Sequence, residues 1–390
     1  MDIETIRRDT PGCENRIFLN SAGASLMPVS VVEKMKEYLS KEQLLGGYTM
    51  ASESEAQINE FYKEAGNLIN CKPQNIAFTY NATDSFSRAL SAIPVKTGDS
   101  ILTTHDDYSS NEIAFLSFQK RFGIKLLKAK NLQNGAVDLD NFEELALKHK
   151  PKLVVLTHIP TNSGIIQPAK VIGAICKRIN TWYLLDACQS VGQIPVDVAA
   201  IGCDFLSVTG RKFLRGPRGT GFLYVSDRAL NEGLEPLFID TRGADLTGKY
   251  DYEAQKTAIR FETWEFSYMS LIGLTEALRY LNNLGIDQIY NYNQELMQTF
   301  RKNMESLDGI HLLDVGPKLS NILTFYRENT SLDKMKYLLD ANRVDYTVSY
   351  ENYAARELIN ANVEWVVRLS PHYFNTPDEL NNLVEAIHGK

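Results

Sequence analysis

The stretch TGRKFLRGPRGTGFLYV, residues 209–225, sets Lys212 between Arg211 and Arg215 and follows it with Gly216, Gly219 and Gly221. So much positive charge between two apolar runs needs a local anion or a use for the amine. A lysine amine attacks a carbonyl carbon only when unprotonated, and a free lysine titrates at about 10.4. Cationic neighbours and burial lower that value, and Arg211 and Arg215 are such neighbours. The glycines do not make a nucleotide loop. GPRGTG is not followed by Lys-Ser/Thr, the lysine precedes it, and no G-x-G-x-x-G opens the first strand–helix turn. A nucleic-acid strip fits poorly too. The chain has a net charge of −7, and such binding rests mostly on neutralising phosphates.

Other polar residues follow the apolar runs. Asn81, Ala82 and Thr83 come after 75–79. His105, Asp106, Asp107 and Tyr108 come after 100–104, and Thr157 and His158 after 152–156. Asp186 and Gln189 follow 182–185, and Thr209, Arg211 and Lys212 follow 205–208. In an open α/β sheet these strand ends share one edge, where ligands bind. Asp186 suits a protonated ring nitrogen. A helix start with hydroxyls at Ala82–Thr83 suits a phosphate. Lysine, acid, phosphate cradle and a ring-stacking aromatic together describe a pyridoxal phosphate site.

The elements that must position these residues are legible. The runs NIAFTYN (75–81), SILTTH (100–105), IKLLKAK (124–130), KLVVLTHI (152–159), WYLLDA (182–187), FLSVT (205–209) and GFLYVS (221–226) are short, and several are apolar throughout. Strands covered on both faces have that pattern. Helical patterns at 111–121, 140–149 and 168–179 alternate with them, which predicts an α/β fold with a mostly parallel seven-stranded sheet and flanking helices. This larger domain is placed at 15–260. A linker helix and a smaller α+β domain occupy 261–390, and segment 1–14 is expected to pack on the smaller domain. A final helix should begin at Thr376-Pro377, with Glu379 completing a capping box.

The segment YLLDACQSVGQIPVDVAAIGCDFLSVTGRKFLRGPRGTGFLYV, 183–225, resembles the D-x-x-Q, P-V-D, D-F and [ST]-G-x-K-x-x-x-G-P-x-G-x-G elements of class V aminotransferases. These are fold-type-I pyridoxal phosphate enzymes that include cysteine desulfurases, selenocysteine lyases and C–S lyases. NATDSFS, DDYSSN, THIPTNSG and VVRLS fall in the same order along nearly the whole chain. The resemblance implies that Lys212 holds pyridoxal 5'-phosphate as a Schiff base and then moves the Cα proton. It implies that Asp186 pairs with the ring nitrogen, and that Gln189 and His158 lie near the phenolic oxygen. Tyr108 would stack on the ring. Ala82, Thr83, Thr209 and Arg211 would bind the phosphate. Arg368, assisted by Asn20, Ser21, Ala22 and Gly23, would bind the substrate carboxylate. A homodimer is implied as well. Arg215 and Arg218 are read as holding the glycine-rich loop or a subunit contact.

The composition bounds the rest. The 390 residues are 44% apolar and 23% charged, as in an ordinary globular chain. The five cysteines, an odd number, contain no C-x-x-C pair, which points to free thiols in a reducing, cytoplasmic setting. The histidine spacing offers no metal motif, and no apolar run reaches the length of a membrane span. Nucleic acid and membrane are therefore not expected as partners. As for the reaction, RVDYTVSYENYAARELIN (343–360) contains no cysteine where desulfurases of the family carry a sulfur-accepting one. The expectation is accordingly a lyase performing β-elimination on a cysteine derivative, not a persulfide-relay desulfurase. Transamination, epimerisation and a non-catalytic binding protein are the alternatives.

Overall fold

The computed structural model describes residues 1–350 and 363–389. A seven-stranded sheet runs in the order Ile76–Thr79, Gly221–Val225, Phe205–Thr209, Trp182–Asp186, Leu153–Thr157, Ser100–Thr103, Lys125–Lys128. Only Gly221–Val225 is antiparallel to its neighbours. The remaining pairings are parallel. Successive side chains of a strand point to opposite faces, and here each face has its own core. Leu153, Val155, Trp182, Leu184, Phe205 and Leu223 pack on one side. Val154, Leu156, Tyr183, Leu185, Leu206 and Phe222 pack on the other. With helices over both faces the four central runs are buried at every position, so they read as continuously apolar.

A second, four-stranded sheet is antiparallel throughout, in the order Ile310–Leu312, Leu323–Arg327, Trp365–Leu369, Thr347–Tyr350. Helices Ile286–Glu305 and Pro377–His388 close its core with Leu296, Phe300, Leu380, Leu383 and Ile387. The predicted capping box is present. The Glu379 N–H donates to Thr376 Oγ1 at 3.2 Å, and the Thr376 N–H donates to Glu379 Oε2 at 3.1 Å.

Two features were not foreseen. A hairpin pairs Ala244–Gly248 with Asp251–Ala254. Its residues are almost all exposed, so it lacks the buried alternation that betrays a strand. Near the N-terminus, Ile17–Phe18 pairs in parallel with Val344–Asp345, a strand too short for any period. The N-terminal helix is tied to the last helix by an Arg7–Glu379 ion pair at 2.8 Å.

Candidate active site

The C-terminal ends of the parallel strands converge on a cavity of about 450 Å³, lined by Ala82, Thr83, Tyr108, Asp186, Gln189, Thr209, Arg211 and Lys212 among others. Lys212 follows the Phe205–Thr209 strand and is 6% exposed. Burial first, then the Arg211 and Arg368 guanidinium groups, push its amine below the usual lysine range, against the opposing pull of Cys188 and Asp186. Asp186 ends the neighbouring strand. Its carboxylate accepts from the Asn111 side chain at 2.8 Å and from the Cys188 N–H at 3.0 Å. Burial raises its pKa in spite of these bonds, so a cation placed beside it gains strongly from its charge.

The phosphate end is equally well built. Helix Ala82–Ala92 starts at the cavity with Asn81 as its cap, which accepts from the Asp84 N–H at 3.0 Å. The free N–H groups of such a helix start attract an anion. Gly221 makes this approach possible, because a Cβ there would sit 2.4 Å from Val208 O and 3.1 Å from Asn81 Cα. One terminal nitrogen of Arg211 and Gln189 Oε1 are buried without a partner. Buried polar groups normally have partners, so a donor cradle and an acceptor both await a polar ligand. Tyr108 caps helix Ser109–Phe122 and is 41% exposed at the cavity. Its loop is anchored by Asp107, which accepts from Thr103 Oγ1 and from Thr157 Oγ1, the latter at 3.0 Å.

Not every predicted residue lies at this cavity. His158 is buried but lines a separate, more apolar cavity with Val137, Gln167 and Ile194. Its backbone N–H bonds to Asp186 O, and burial pushes the imidazole down to about 4. A residue beside a strand end points to either face, and His158 points away; Thr161, three positions on, faces the cavity instead. Arg368 stands behind that lining. It donates to Thr161 O at 3.0 Å and to Thr347 Oγ1 at 3.4 Å, and its Nε is unpartnered. It makes no ion pair among the described residues. Asn20–Gly23 border the site through backbone: Ser21 and Ala22 N–H groups bond to Ser370, and Gln189 donates to Ala22 O.

Arg215 resolves into a structural residue. It is fully buried, donates to Leu26 O and Thr10 Oγ1, and lies over the rings of Tyr373 and Phe374. Arg218 is exposed at the cavity rim. The exposed Trp264 is absent from the cavity lining and donates its backbone N–H to Asp240. The sequence reading missed Asn111, Thr161 and Cys188. Only Cys188 carried a local clue, lying between Asp186 and Gln189.

A strand-end lysine, a strand-end acid and a helix start converging on one cavity define a fold-type-I pyridoxal phosphate site, and these residues fit that group. The family profile for aminotransferase class-V matches residues 17–383. The chain belongs to the class-V aminotransferase family. A probable cysteine desulfurase of Methanothermobacter thermautotrophicus is 29% identical over 99% of this chain and 98% of that protein. A solved apo cysteine desulfurase from Thermococcus onnurineus aligns with a TM-score of 0.89 at 24% identity, over 99% of this chain and 97% of that one. The lyase C-DES, solved as a mutant with glycine covalently linked to its pyridoxal phosphate cofactor, aligns at 0.87 with 21% identity, covering 98% and 99%. The two solved structures show the fold. The protein is thus a pyridoxal phosphate-dependent enzyme. Among the described residues no helix is long and apolar enough to cross a membrane, and no cluster of His, Cys, Asp and Glu could hold a metal ion.

One expectation is overturned. The exclusion of a persulfide-relay cysteine desulfurase does not survive the curated relatives, which are named probable cysteine desulfurases and match over nearly the full length of this chain. The exclusion rested on the segment 343–360, of which residues 351–360 lie outside the described residues. A thiol supplied from elsewhere in the fold escapes such an argument.

Proposed function

We propose that the protein is a cysteine desulfurase, releasing alanine from L-cysteine and passing the sulfur to a thiol. The observation that carries this reading is the desulfurase relationship along the whole chain, joined to a cavity lined by Lys212, Asp186, Arg211 and the helix start at Ala82–Thr83. Pyridoxal phosphate, when bound, supplies an electron sink for the substrate's Cα and Cβ. Lys212 would hold it and carry the Cα proton, a role suited to an amine held below its usual pKa. Asp186 would keep the ring nitrogen protonated. The helix start at Ala82–Thr83, with Thr209 and Arg211, would hold the phosphate. Gln189 would face the phenolic oxygen and Tyr108 the ring. Arg368 would take the substrate carboxylate as a two-pronged donor. His158 has no part in this assignment, because it lines another cavity.

The test is incubation of the loaded enzyme with L-cysteine and a reducing thiol, with product analysis. Alanine formed in step with released sulfur is expected. Pyruvate, or a keto acid with pyridoxamine phosphate, would overturn the reading. A homodimer is proposed as the assembly. Exposed apolar side chains such as Leu44, Tyr48 and Phe238 supply surface for it, and light scattering behind size exclusion tests it.

A further inference from the structure

Desulfuration leaves one sulfur atom that must bond to a nucleophile as the Cβ–S bond breaks. This chain has five cysteines, and none follows Cys203. Cys13, Cys176 and Cys203 are buried in the hydrophobic core. Cys71 is partly exposed on a different cavity, shared with Cys176, Cys203 and Asp204. Cys188 alone lines the cavity that holds Lys212.

Cys188 is also well placed there. Its backbone N–H is fixed on the Asp186 carboxylate. It lines the same cavity as Lys212, whose positive charge draws the thiol's pKa down against the larger upward push of burial. Gln189, the next residue, is 2% exposed and leaves its Oε1 without a partner in the same cavity. A thiol, an amine and an unsatisfied acceptor thus share one small volume.

We propose that Cys188 is the sulfur acceptor of this enzyme. This rests on the desulfurase reading above. The Cys188 sulfur attacks the Sγ of bound cysteine and gives up its own proton, which ends on the substrate's Cβ, while Lys212 carries the Cα proton. An S–S bond forms and the Cβ–Sγ bond breaks. Its electron pair goes to the substrate carbon skeleton, which takes up protons and leaves as alanine. In sum, one thiol and one cysteine give one protein persulfide and one alanine. An external thiol then removes the sulfane sulfur as sulfide or passes it on, and is itself oxidised.

The experiment uses the loaded full-length enzyme, treated with L-cysteine without added thiol, then alkylated and digested for mass spectrometry. The expected result is one extra sulfur atom on the Cys188 peptide, with about one alanine per chain in a first burst. Cys188→Ser and Cys188→Ala should keep the absorbance of lysine-bound cofactor but show neither the persulfide nor the burst. Alanine formed with the extra sulfur on Cys71, or with an undiminished burst in Cys188→Ala, would overturn the assignment and leave the desulfurase reading intact. No alanine from cysteine in the parent enzyme would overturn both.

Discussion

At the scale of single residues, the site works by holding charged groups out of water. Lys212 is poised because burial and two guanidinium groups disfavour its ammonium form. Cofactor uptake by the apoenzyme should therefore rise with pH through a midpoint below the roughly 10.4 of a free lysine; stopped-flow absorbance reads it directly. Lys212→Ala should abolish the visible absorbance of the lysine-bound cofactor, and an unchanged spectrum would refute the assignment. Asp186 accepts from two donors and feels the Lys212 charge. Asp186→Asn should lower kcat about 10²–10³-fold, the usual effect of losing one preorganised electrostatic partner, as steady-state kinetics will show.

At the scale of elements, the loops after the strands are fastened by buried polar groups. Asp107 holds the Tyr108 loop between two threonines, and burial pushes its carboxyl from 3.8 up to about 7. A carboxyl whose folded pKa is raised stabilises the fold below its unfolded pKa, and that contribution fades as pH climbs through the folded value. The Asp107→Asn variant lacks this dependence. Its unfolding free energy relative to the parent should increase steadily between about pH 4 and about pH 7, as urea titrations at several pH values will show. Arg215 plays the matching part for the lysine loop. It adopts a left-handed φ of 59° and stacks on Tyr373 and Phe374, while His372 contacts Phe213 O at 2.9 Å. Arg215→Ala should cost at least about 2 kcal/mol in denaturant titrations, from lost desolvated cation–ring contact and hydrogen bonds.

At the scale of the whole molecule, Arg368, the arginine proposed to bind the substrate carboxylate, lies on the small sheet and depends on a loop from the large one. Arg368 donates to Thr161 O. That loop is clamped to the small sheet through Thr324 Oγ1 to Asn162 O at 3.2 Å and through the Ser320 N–H to Gly164 O at 2.7 Å. A Cβ on Gly164 would lie 2.2 Å from Ile322 O. Gly164→Ala should force the two sheets apart locally and lower kcat/KM about 10- to 100-fold, mainly through KM. The absorbance of lysine-bound cofactor, which depends on the large sheet, should be unchanged.

The doubly covered sheet, and the place of the candidate site residues at its strand ends, were legible in the amino-acid order alone. Continuous apolar runs set the strands, and Asp186 and Thr209 end two of them while Ala82 and Lys212 follow within three positions, where chain direction alone puts them on one edge. The cap at Thr376 was legible for the same reason, since it is a contact between near neighbours in the chain. Tertiary structure decided which side chains beyond the strand ends turn inward. His158 and Thr161 lie on one short loop, yet only Thr161 faces the cavity. Asn111 reaches Asp186 across 75 positions of sequence. Arg215, outwardly a cation of the active loop, proved to be a pin between that loop and the aromatic residues after Arg368. Such choices depend on packing between distant segments, and local periodicity holds no record of them. Cys188 belongs to both categories: its place beside Asp186 is written in the sequence, but only the fold sets it apart from the other four thiols.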